Sequence, residues 1–348
     1  TTIARQIKQD FQGCHLTWAI STSCKHIIQN NPYVDEIMEM VNVKKDDVAS
    51  FRKIKKNFFQ SKSEGIFDEV FIMQIADTNL AFYNGCIRSN ILNAYPFPVT
   101  VPVTPVLRLS DDEIFKVEKF AIEHDLKQFK NIVLFEFAPQ SGHLKINESI
   151  AIHIAEGIVK MKDTAIILSS AKKINHENKV IIDGSSLTIR ETAGITHYCN
   201  LLLGCSSGIT WITTSDAAKP LPMVQILNAD AKWVNPVSRD FTRYNLNAEN
   251  VIELLNIDEK NIIECVQLSL SNFSESRKIY NQEIPLHFKT STTIVYNLLC
   301  YFEFTAIAKH ISENRKVYGN NLSFYLSVLK AFIIFPFKLI FNLFRKKI

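Results

Sequence analysis

Leu201-Leu202-Leu203-Gly204-Cys205-Ser206-Ser207-Gly208-Ile209-Thr210-Trp211 is the stretch that decides the fold of this chain. An apolar run of strand length stops at a turn of small residues, and a helix-compatible segment follows at 212–218. The first N–H groups of a helix lack partners within it and carry partial positive charge, so such a turn attracts anions. A simpler interpretation is that Ser206 or Ser207 caps the helix and Gly208 relieves crowding. These residues alone leave both interpretations open.

Strands and helices alternate on both sides of this stretch, which is typical of a parallel sheet covered by helices on both faces. Besides the quoted run, strands are predicted at 15–20, 37–41, 69–73, 131–135, 164–168, 180–182 and 222–227. Helices are predicted at 1–10, 23–30, 45–60, 76–92, 111–124, 146–161, 188–199 and 290–318. The fold class is therefore α/β.

A chain of 348 residues exceeds the usual length of one domain. Residues 94–105 contain four prolines without periodicity, and Ser110-Asp111-Asp112-Glu113 then gives a helix-capping signal. This combination marks a domain boundary. We expect an N-terminal Rossmann-like domain at 1–108, a C-terminal Rossmann-like domain at 109–285 and C-terminal helices at 286–348.

The composition excludes several classes of protein. Seven scattered cysteines without a C-x-x-C pair indicate reduced thiols, and nine histidines without ligand spacing predict no metal site. No segment calls for a cofactor. The formal net charge of +4 is too small to indicate a nucleic-acid partner.

The tail differs from the rest of the chain. Residues 322–344 are dominated by Phe, Leu and Ile and are followed by Arg345-Lys346-Lys347. About 20 apolar residues can span a bilayer, but Lys330, Pro336 and Lys338 interrupt this run. We expect 322–348 to lie peripherally on an anionic membrane, with the lysines reaching headgroups. The alternatives are a helix docked on a groove of the protein itself and a spanning helix.

Several segments resemble, in order, one known family. They are Ala4-Arg5-Gln6-Ile7 with Phe11-Gln12-Gly13-Cys14-His15-Leu16-Thr17-Trp18, then residues 31–37, 67–71, 139–142, 182–191, 206–211 and 217–220. Together they are similar to glycosyltransferase family 9, the heptosyltransferase-like enzymes, over about residues 1–235. The family's Asp-Ser-Gly-x-x-His motif matches Ser206 to Trp211.

The resemblance implies a GT-B fold, in which two Rossmann-like domains face each other across a cleft and C-terminal helices follow. It implies a metal-independent, inverting glycosyltransferase whose partners are a nucleotide-sugar donor and a glycan or lipid-linked acceptor, as in lipopolysaccharide or surface polysaccharide assembly. The implied location is cytoplasmic, peripheral on the inner face of the cytoplasmic membrane.

The chain also departs from the family. Ser206 replaces the motif's aspartate and Trp211 replaces its histidine, so Trp211 either stacks on a sugar or base or is a core aromatic. The family's catalytic aspartate precedes its first helix, whereas this chain begins inside that helix. We therefore expect the first strand and the catalytic base to lie upstream of Thr1, and no catalytic residue is assigned.

The candidate residues of the donor site lie on three segments of the second half of the chain. Ser207 and Gly208 are the main candidates, and Ser206 and Ile209 contribute backbone N–H groups. The other candidates begin with the loop of Gln140, Ser141 and Gly142, which is alternatively an ordinary turn. Lys145 either supplies the positive charge for the leaving group or is an ordinary solvated surface lysine. Ser169 is expected to face the nucleotide base. The simplest interpretation of Arg190 and Glu191 is an exposed ion pair, which contributes little to stability.

Two other functions remain open. One is a catalytically silent relative that binds a sugar nucleotide or acts as a scaffold at the membrane. The other is a different GT-B enzyme, such as a sugar-nucleotide epimerase, although the carboxylate and histidine pairs that it needs are not evident in the sequence.

Overall fold

A computed structural model describes residues 1–41, 47–137, 144, 146–228 and 236–345. The chain divides into two compact units. The first comprises Thr1–Glu39 and Val101–Ile284, and the second comprises Met40–Thr100 and Pro285–Ile348. The seven cysteines all fall within the described residues and are free thiols.

The regular elements follow one another along the whole chain. The strands are β1 (Thr17–Ser21), β2 (Glu36–Met40), β3 (Asn131–Glu136), β4 (Thr164–Ser169), β5 (Ile181–Asp183), β6 (Leu201–Gly204), β7 (Met223–Leu227) and β8 (Val251–Leu255). The helices are α1 (Thr2–Asp10), α2 (Lys25–Ile28), α3 (Val48–Ser63), α4 (Ile87–Leu92), α5 (Asp111–Glu123), α6 (Glu148–Ile158), α7 (Ile189–Ile195), α8 (Gly208–Ile212), α9 (Val237–Arg243), α10 (Glu259–Ser271), α11 (Phe273–Tyr280), α12 (Lys289–Cys300), α13 (Phe304–Tyr318) and α14 (Leu322–Arg345).

The first unit is built on a parallel sheet with the order β5-β4-β3-β6-β7-β8. Helices cover both of its faces, so β3, β4, β6 and β7 are buried along their whole length and read as apolar runs in the sequence. One face, with Phe135 and Leu203, packs on α6 and α10. The other, with Leu134 and Leu202, packs on α5, α7 and α9.

The helix starts in this unit follow their capping signals. Ser110 and Glu113 form a reciprocal capping box at α5, and Thr188 and Glu191 form another at α7. The helices predicted at 111–124 and 188–199 therefore begin where the sequence places them. The strand β8 has no counterpart among the predicted strands.

The region 1–100 departs from the expected parallel sheet. The described residues there hold the two-stranded sheet of β1 and β2, and the strand predicted at 69–73 is wrong. The side-chain amide of Asn79 donates to the carbonyl oxygens of Ile72 (2.7 Å) and Gln74 (3.0 Å). These backbone acceptors are therefore satisfied by a side chain instead of a neighbouring strand.

Two predicted helices are each interrupted. The segment 76–92 forms a 3-10 helix at Asp77–Phe82 and the helix α4, separated by Gly85 at a φ of 88°. The segment 290–318 forms α12 and α13, because Phe302 adopts a φ of 56° between them. A positive φ is incompatible with a continuous right-handed helix.

Within the second unit, one face of α14 packs against α12. Phe324 is fully buried between the rings of Phe288 and His310, and the hydroxyl of Thr292 donates to the carbonyl of Ser327 (2.9 Å). The opposite face leaves apolar side chains exposed at helical spacing, namely Leu322, Leu326, Leu329, Ile333 and Phe337. In the described part of the chain, no helix has the length and apolar character needed to cross a bilayer.

Candidate active site at the switch point of the sheet

The strand order of the first unit indicates where a ligand site is expected. From β3 the chain continues through β4 to β5 on one side, and from β6 it continues through β7 to β8 on the other. The neighbouring strands β3 and β6 therefore mark the point where the order reverses. In open parallel sheets, ligands bind beyond the carboxyl ends of the strands at this point. These ends are Glu136 and Gly204, so the turn of residues 205–208 lies at the expected place.

The turn is held by hydrogen bonds to side chains below it. The N–H of Cys205 donates to Oε2 of Glu136 (3.2 Å), and the N–H of Ser206 donates to Oε1 of Gln225 (2.7 Å). Ser206 has a φ of 51°, in the left-handed region that serine seldom adopts. Backbone held in such a conformation clusters at ligand-binding sites, because the surrounding structure must fix it.

Ser207 is the N-cap of α8. Its Oγ accepts from the N–H of Ile209 (3.1 Å), and its hydroxyl donates to the Glu136 carboxyl group. The capping interpretation of Ser207 is therefore confirmed. The cap also means that the N–H of Ile209 is engaged within the protein, as is the N–H of Ser206. Of the four N–H groups at 206–209 that are candidates for binding the donor, two are left.

These two groups belong to Ser207 and Gly208. Within the part of the chain that the structure describes, neither N–H makes a hydrogen bond. Gly208 is exposed, its φ lies outside the left-handed region, and a Cβ built on it meets no atom of the described residues within 4 Å. The turn thus presents two adjacent unengaged donors, with open space beside them, where an oxyanion can bind.

A row of buried polar side chains crosses the sheet below the turn. The register pairs Glu136 with Ser169, Gly204 with Gln225, and Gln225 with Glu253. Phe135 pairs with Leu203, so the next residues of these strands, Glu136 and Gly204, are also side by side. Laterally paired residues point to the same face of a sheet. The row of Ser169, Glu136, Gln225 and Glu253 therefore lies one layer above the apolar face that packs on α5, α7 and α9.

Two carboxyl groups in this row are protonated more readily than in water. Burial raises the pKa of Glu136, and hydrogen bonds from Ser207 and Cys205 offset the rise only in part. Burial also raises the pKa of Glu253, against hydrogen bonds from Ser238. Both carboxyl groups therefore lie in surroundings that disfavour their charged forms.

Gly204 and Gln225 fit closely together. A Cβ on Gly204 would lie 3.1 Å from Nε2 of Gln225 and 3.1 Å from Oγ1 of Thr210, so a larger residue would displace them. The hydroxyl of Thr210 donates to Oε1 of Gln225 (3.3 Å). Gln225 therefore links β7 to both the turn and α8, which makes the backbone of the turn rigid.

The structure brings several of the predicted site residues together. Ser206, Ser207, Gly208 and Ile209 form the turn and the start of α8, and Ser169 lies in the polar row. Gln140, Ser141, Gly142 and Lys145 lie outside the described residues. Trp211 is half-buried and packs against the apolar cluster of α5, α7 and α9, which favours its interpretation as a core aromatic.

The expectation for Arg190 and Glu191 is wrong, because both side chains are buried. Arg190 donates from Nε to Glu113 (2.6 Å) and from its other nitrogens to the carbonyls of His26, Gln29 and Arg108. It joins α7 to α5 and to the end of α2. A buried guanidinium with this many acceptors is a structural anchor and not a surface ion pair.

Glu136 and Gln225 were not identified from the sequence. Each interrupts an apolar strand, as Asn-Ile-Val-Leu-Phe-Glu at 131–136 and Met-Val-Gln-Ile-Leu at 223–227. A polar side chain within or at the end of an otherwise apolar strand was the available signal. Among the described residues, no group of His, Cys, Asp or Glu is arranged to hold a metal ion.

Comparisons with known proteins bear on the fold. No protein-family model matches the chain. No curated protein matches it either. Among solved structures, the chain is similar to the glycosyl transferase family 9 protein from Veillonella parvula DSM 2008, with 12% identity and a TM-score of 0.50 over 89% of this chain and 92% of that chain. It also matches the E. coli ADP-heptose lps heptosyltransferase II, with 13% identity and a TM-score of 0.49 over 80% and 94%.

The first of these likenesses shows the fold. The resemblance to glycosyltransferase family 9 that the sequence motifs indicate is thus confirmed at the level of the fold.

Proposed function

We propose that this protein is a GT-B glycosyltransferase that transfers a sugar from a nucleotide-sugar donor to a glycan or lipid-linked acceptor at a membrane. The observation that carries the proposal is the turn at 205–208, which presents the unengaged N–H groups of Ser207 and Gly208 at the switch point of the sheet. The fold shared with a family 9 glycosyltransferase supports it.

In this proposal the diphosphate of the donor binds the N–H groups of Ser207 and Gly208. Backbone donors that are fixed before the reaction stabilise the negative charge that grows on the leaving diphosphate. Lys145 adds positive charge, the loop of Gln140, Ser141 and Gly142 contacts the phosphates or ribose, and Ser169 faces the nucleotide base. These last three assignments are predictions from the sequence.

The side chains below the turn hold it in place. Because the hydroxyl of Ser207 and the N–H groups of Cys205, Ser206 and Ile209 are all bound within the protein, the turn keeps its shape without a ligand. A site that is formed in advance loses less entropy when the ligand binds. Burial raises the pKa of Glu136, so its negative charge below the turn is disfavoured.

The reaction that fits this site is a direct displacement with inversion. An acceptor hydroxyl, deprotonated by a general base, attacks the anomeric carbon. The bond from that carbon to the diphosphate oxygen breaks, and the nucleoside diphosphate leaves with the electron pair. Backbone N–H groups and a lysine neutralise the leaving group without a metal ion.

The proposal includes a peripheral membrane contact through 322–348 at the inner face of the cytoplasmic membrane. Its support is the exposed stripe of Leu322, Leu326, Leu329, Ile333 and Phe337 on α14, whose other face packs on α12. An apolar stripe of this kind inserts into the headgroup region. The division into domains at 1–108, 109–285 and 286–348 remains part of the proposal.

Thermal stabilisation by a panel of ADP-, GDP-, UDP- and CMP-linked sugars tests the donor site, since a ligand that binds the folded state raises the melting temperature. We expect one nucleotide class to stabilise the protein and its sugar to be released or transferred. Stabilisation without release or transfer, also with membrane extracts as acceptor, would favour the catalytically silent relative. No stabilisation by any donor would refute a nucleotide-sugar site.

A further inference from the structure

The turn between α12 and α13 exposes three aromatic side chains. Tyr301, Phe302 and Phe304 are 47%, 70% and 58% exposed, although aromatic rings are among the side chains that gain most from burial. Phe302 has a φ of 56°, a conformation in which a bulky residue is an outlier. The chain therefore keeps an exposed phenylalanine at a position that favours glycine or asparagine.

The turn is fixed to helix α3 of the same unit. The guanidinium of Arg52 stacks on the ring of Tyr301, 4.0 Å from its centroid, and pairs with the Glu303 carboxylate at 3.3 Å. The N–H of Phe302 and the N–H of Glu303 donate to carbonyls at the end of α12. The exposed rings are thus presented by an ordered turn.

Helix α3 brings positive charge to this turn. Its sixteen residues contain Arg52, four lysines and no acidic residue. Lys53 and Lys56 are exposed, and Lys56 lies one helical turn from Arg52, on the side of α3 that meets Tyr301. Phe59, one turn further on, is also exposed. Basic and aromatic side chains are therefore adjacent on one surface.

This surface lies at the carboxyl end of α12, and the apolar stripe of α14 ends at the same level. Phe288 meets Phe324, Thr292 meets Ser327 and Tyr296 meets Phe335, so α12 and α14 run in the same direction. The carboxyl end of α12, where the aromatic turn begins, is then level with the region of Phe337, which is 70% exposed.

We propose that Lys53 and Lys56 of α3, together with Phe302 and Phe304 of the α12–α13 turn, form a second contact with an anionic lipid bilayer, beside the stripe of α14. The proposal rests on the membrane contact of the proposed function. Lysines attract anionic headgroups, and aromatic rings insert at the boundary between headgroups and acyl chains. Continuity with the α14 stripe favours a bilayer over a soluble anionic polysaccharide, which has no apolar phase for exposed phenylalanines.

Flotation of the full chain with vesicles of phosphatidylcholine, alone or with phosphatidylglycerol, tests the surface. The K53Q/K56Q variant is expected to partition about 30-fold more weakly into the anionic vesicles, since each lysine near such a surface contributes about 1 kcal/mol and 1.4 kcal/mol is tenfold. Phe302→Asn is expected to weaken binding roughly tenfold from the lost apolar burial. Asparagine tolerates the left-handed conformation, so the melting temperature of the Phe302→Asn variant should not fall.

Matched controls come from the first unit. The K127Q/K130Q variant removes two exposed lysines, and Phe115→Ser removes an exposed phenylalanine of α5. Neither should change vesicle binding. The α14 variant L326S/I333S tests the tail contact separately.

The outcomes are distinct. Weaker binding of the α3 and turn variants, with unchanged controls, supports the second contact. Loss of binding in the α14 variant alone overturns it and leaves the tail contact standing. A wild-type protein that binds no vesicle overturns both. Variants that bind vesicles normally but lose affinity for dextran sulfate would assign the surface to an anionic glycan and overturn the proposal.

Discussion

Gly208→Ala separates the fold of the turn from its proposed ligand. Gly208 is the first residue of α8, its φ is outside the left-handed region, and a Cβ there meets no protein atom within 4 Å. Alanine at a position with compatible backbone stabilises a protein by about 0.4–1 kcal/mol, because it restricts the unfolded chain. The variant is therefore expected to melt at the same or a slightly higher temperature than the wild type.

Binding is expected to respond in the opposite direction. The methyl group would fill the space beside the N–H groups of Ser207 and Gly208, where the diphosphate must come within about 2.9 Å of the nitrogen. Losing one hydrogen bond to a charged group costs about 1.5–3 kcal/mol. The Kd for the nucleotide sugar should therefore rise by about 10- to 150-fold.

Isothermal titration of both proteins with the donor that stabilises the wild type measures this Kd, and calorimetric melting measures stability. Gly65→Ala is the matched control. Gly65 follows α3 at a φ of 75°, also with no atom within 4 Å of a built Cβ. Alanine there is strained by about 1–2 kcal/mol, so stability should fall while the Kd stays unchanged.

A Gly208→Ala protein that binds the donor as tightly as the wild type would refute the placement of the diphosphate on this turn. A variant that loses binding but also melts several degrees lower would refute the structural premise, because it would show that the space beside Gly208 is not open.

Three further predictions concern the groups that support the fold. Glu136→Gln removes a carboxyl group whose pKa is raised by burial. The wild type therefore loses stability as the pH rises from about 4.5 through the folded-state pKa, and the variant should gain stability relative to it over that range. A difference in melting temperature that is independent of pH between 4 and 8 would contradict this. Arg190→Met leaves Glu113 without its buried partner and should cost about 3–5 kcal/mol in urea unfolding, against less than about 1 kcal/mol for Lys119→Met at an exposed pair. Phe324→Ala empties a fully buried site and should cost about 3–5 kcal/mol, whereas an equal loss in Phe337→Ala, at an exposed ring, would contradict the packing of α14.

The sheet of the first unit could be predicted from the sequence because its inner strands are buried on both faces. Each such strand is then largely apolar, as at 132–135 and 201–203. The helix boundaries follow from caps such as Ser110 and Thr188. β8 was missed because Glu253 sits inside its run, and its carboxylate is satisfied by Ser238, which is distant in the sequence.

Elements that depend on distant partners could not be predicted. The segment 69–73 has a strand-like composition, but Asn79 takes the carbonyls that a neighbouring strand would need. Arginine is a residue type usually found at the surface, and Arg190 is buried only because α2, α5 and α7 converge on it. In both cases the deciding interaction is a single polar side chain, which leaves no periodic signal in the sequence.

The turn at 205–208 can offer the proposed diphosphate its backbone although its side chains differ from the family's motif. The family's motif has an aspartate where this chain has Ser206, yet the N–H of Ser206 is bound to Gln225 and the hydroxyl of Ser207 is bound to Glu136. The side chains below the turn thus build it, and the backbone of Ser207 and Gly208 is what remains for an anion. Because every residue except proline has the same N–H group, replacement of the aspartate is compatible with diphosphate binding. In the proposed site, Glu136 and Gln225, which lie outside the motif, hold the backbone that would bind the diphosphate.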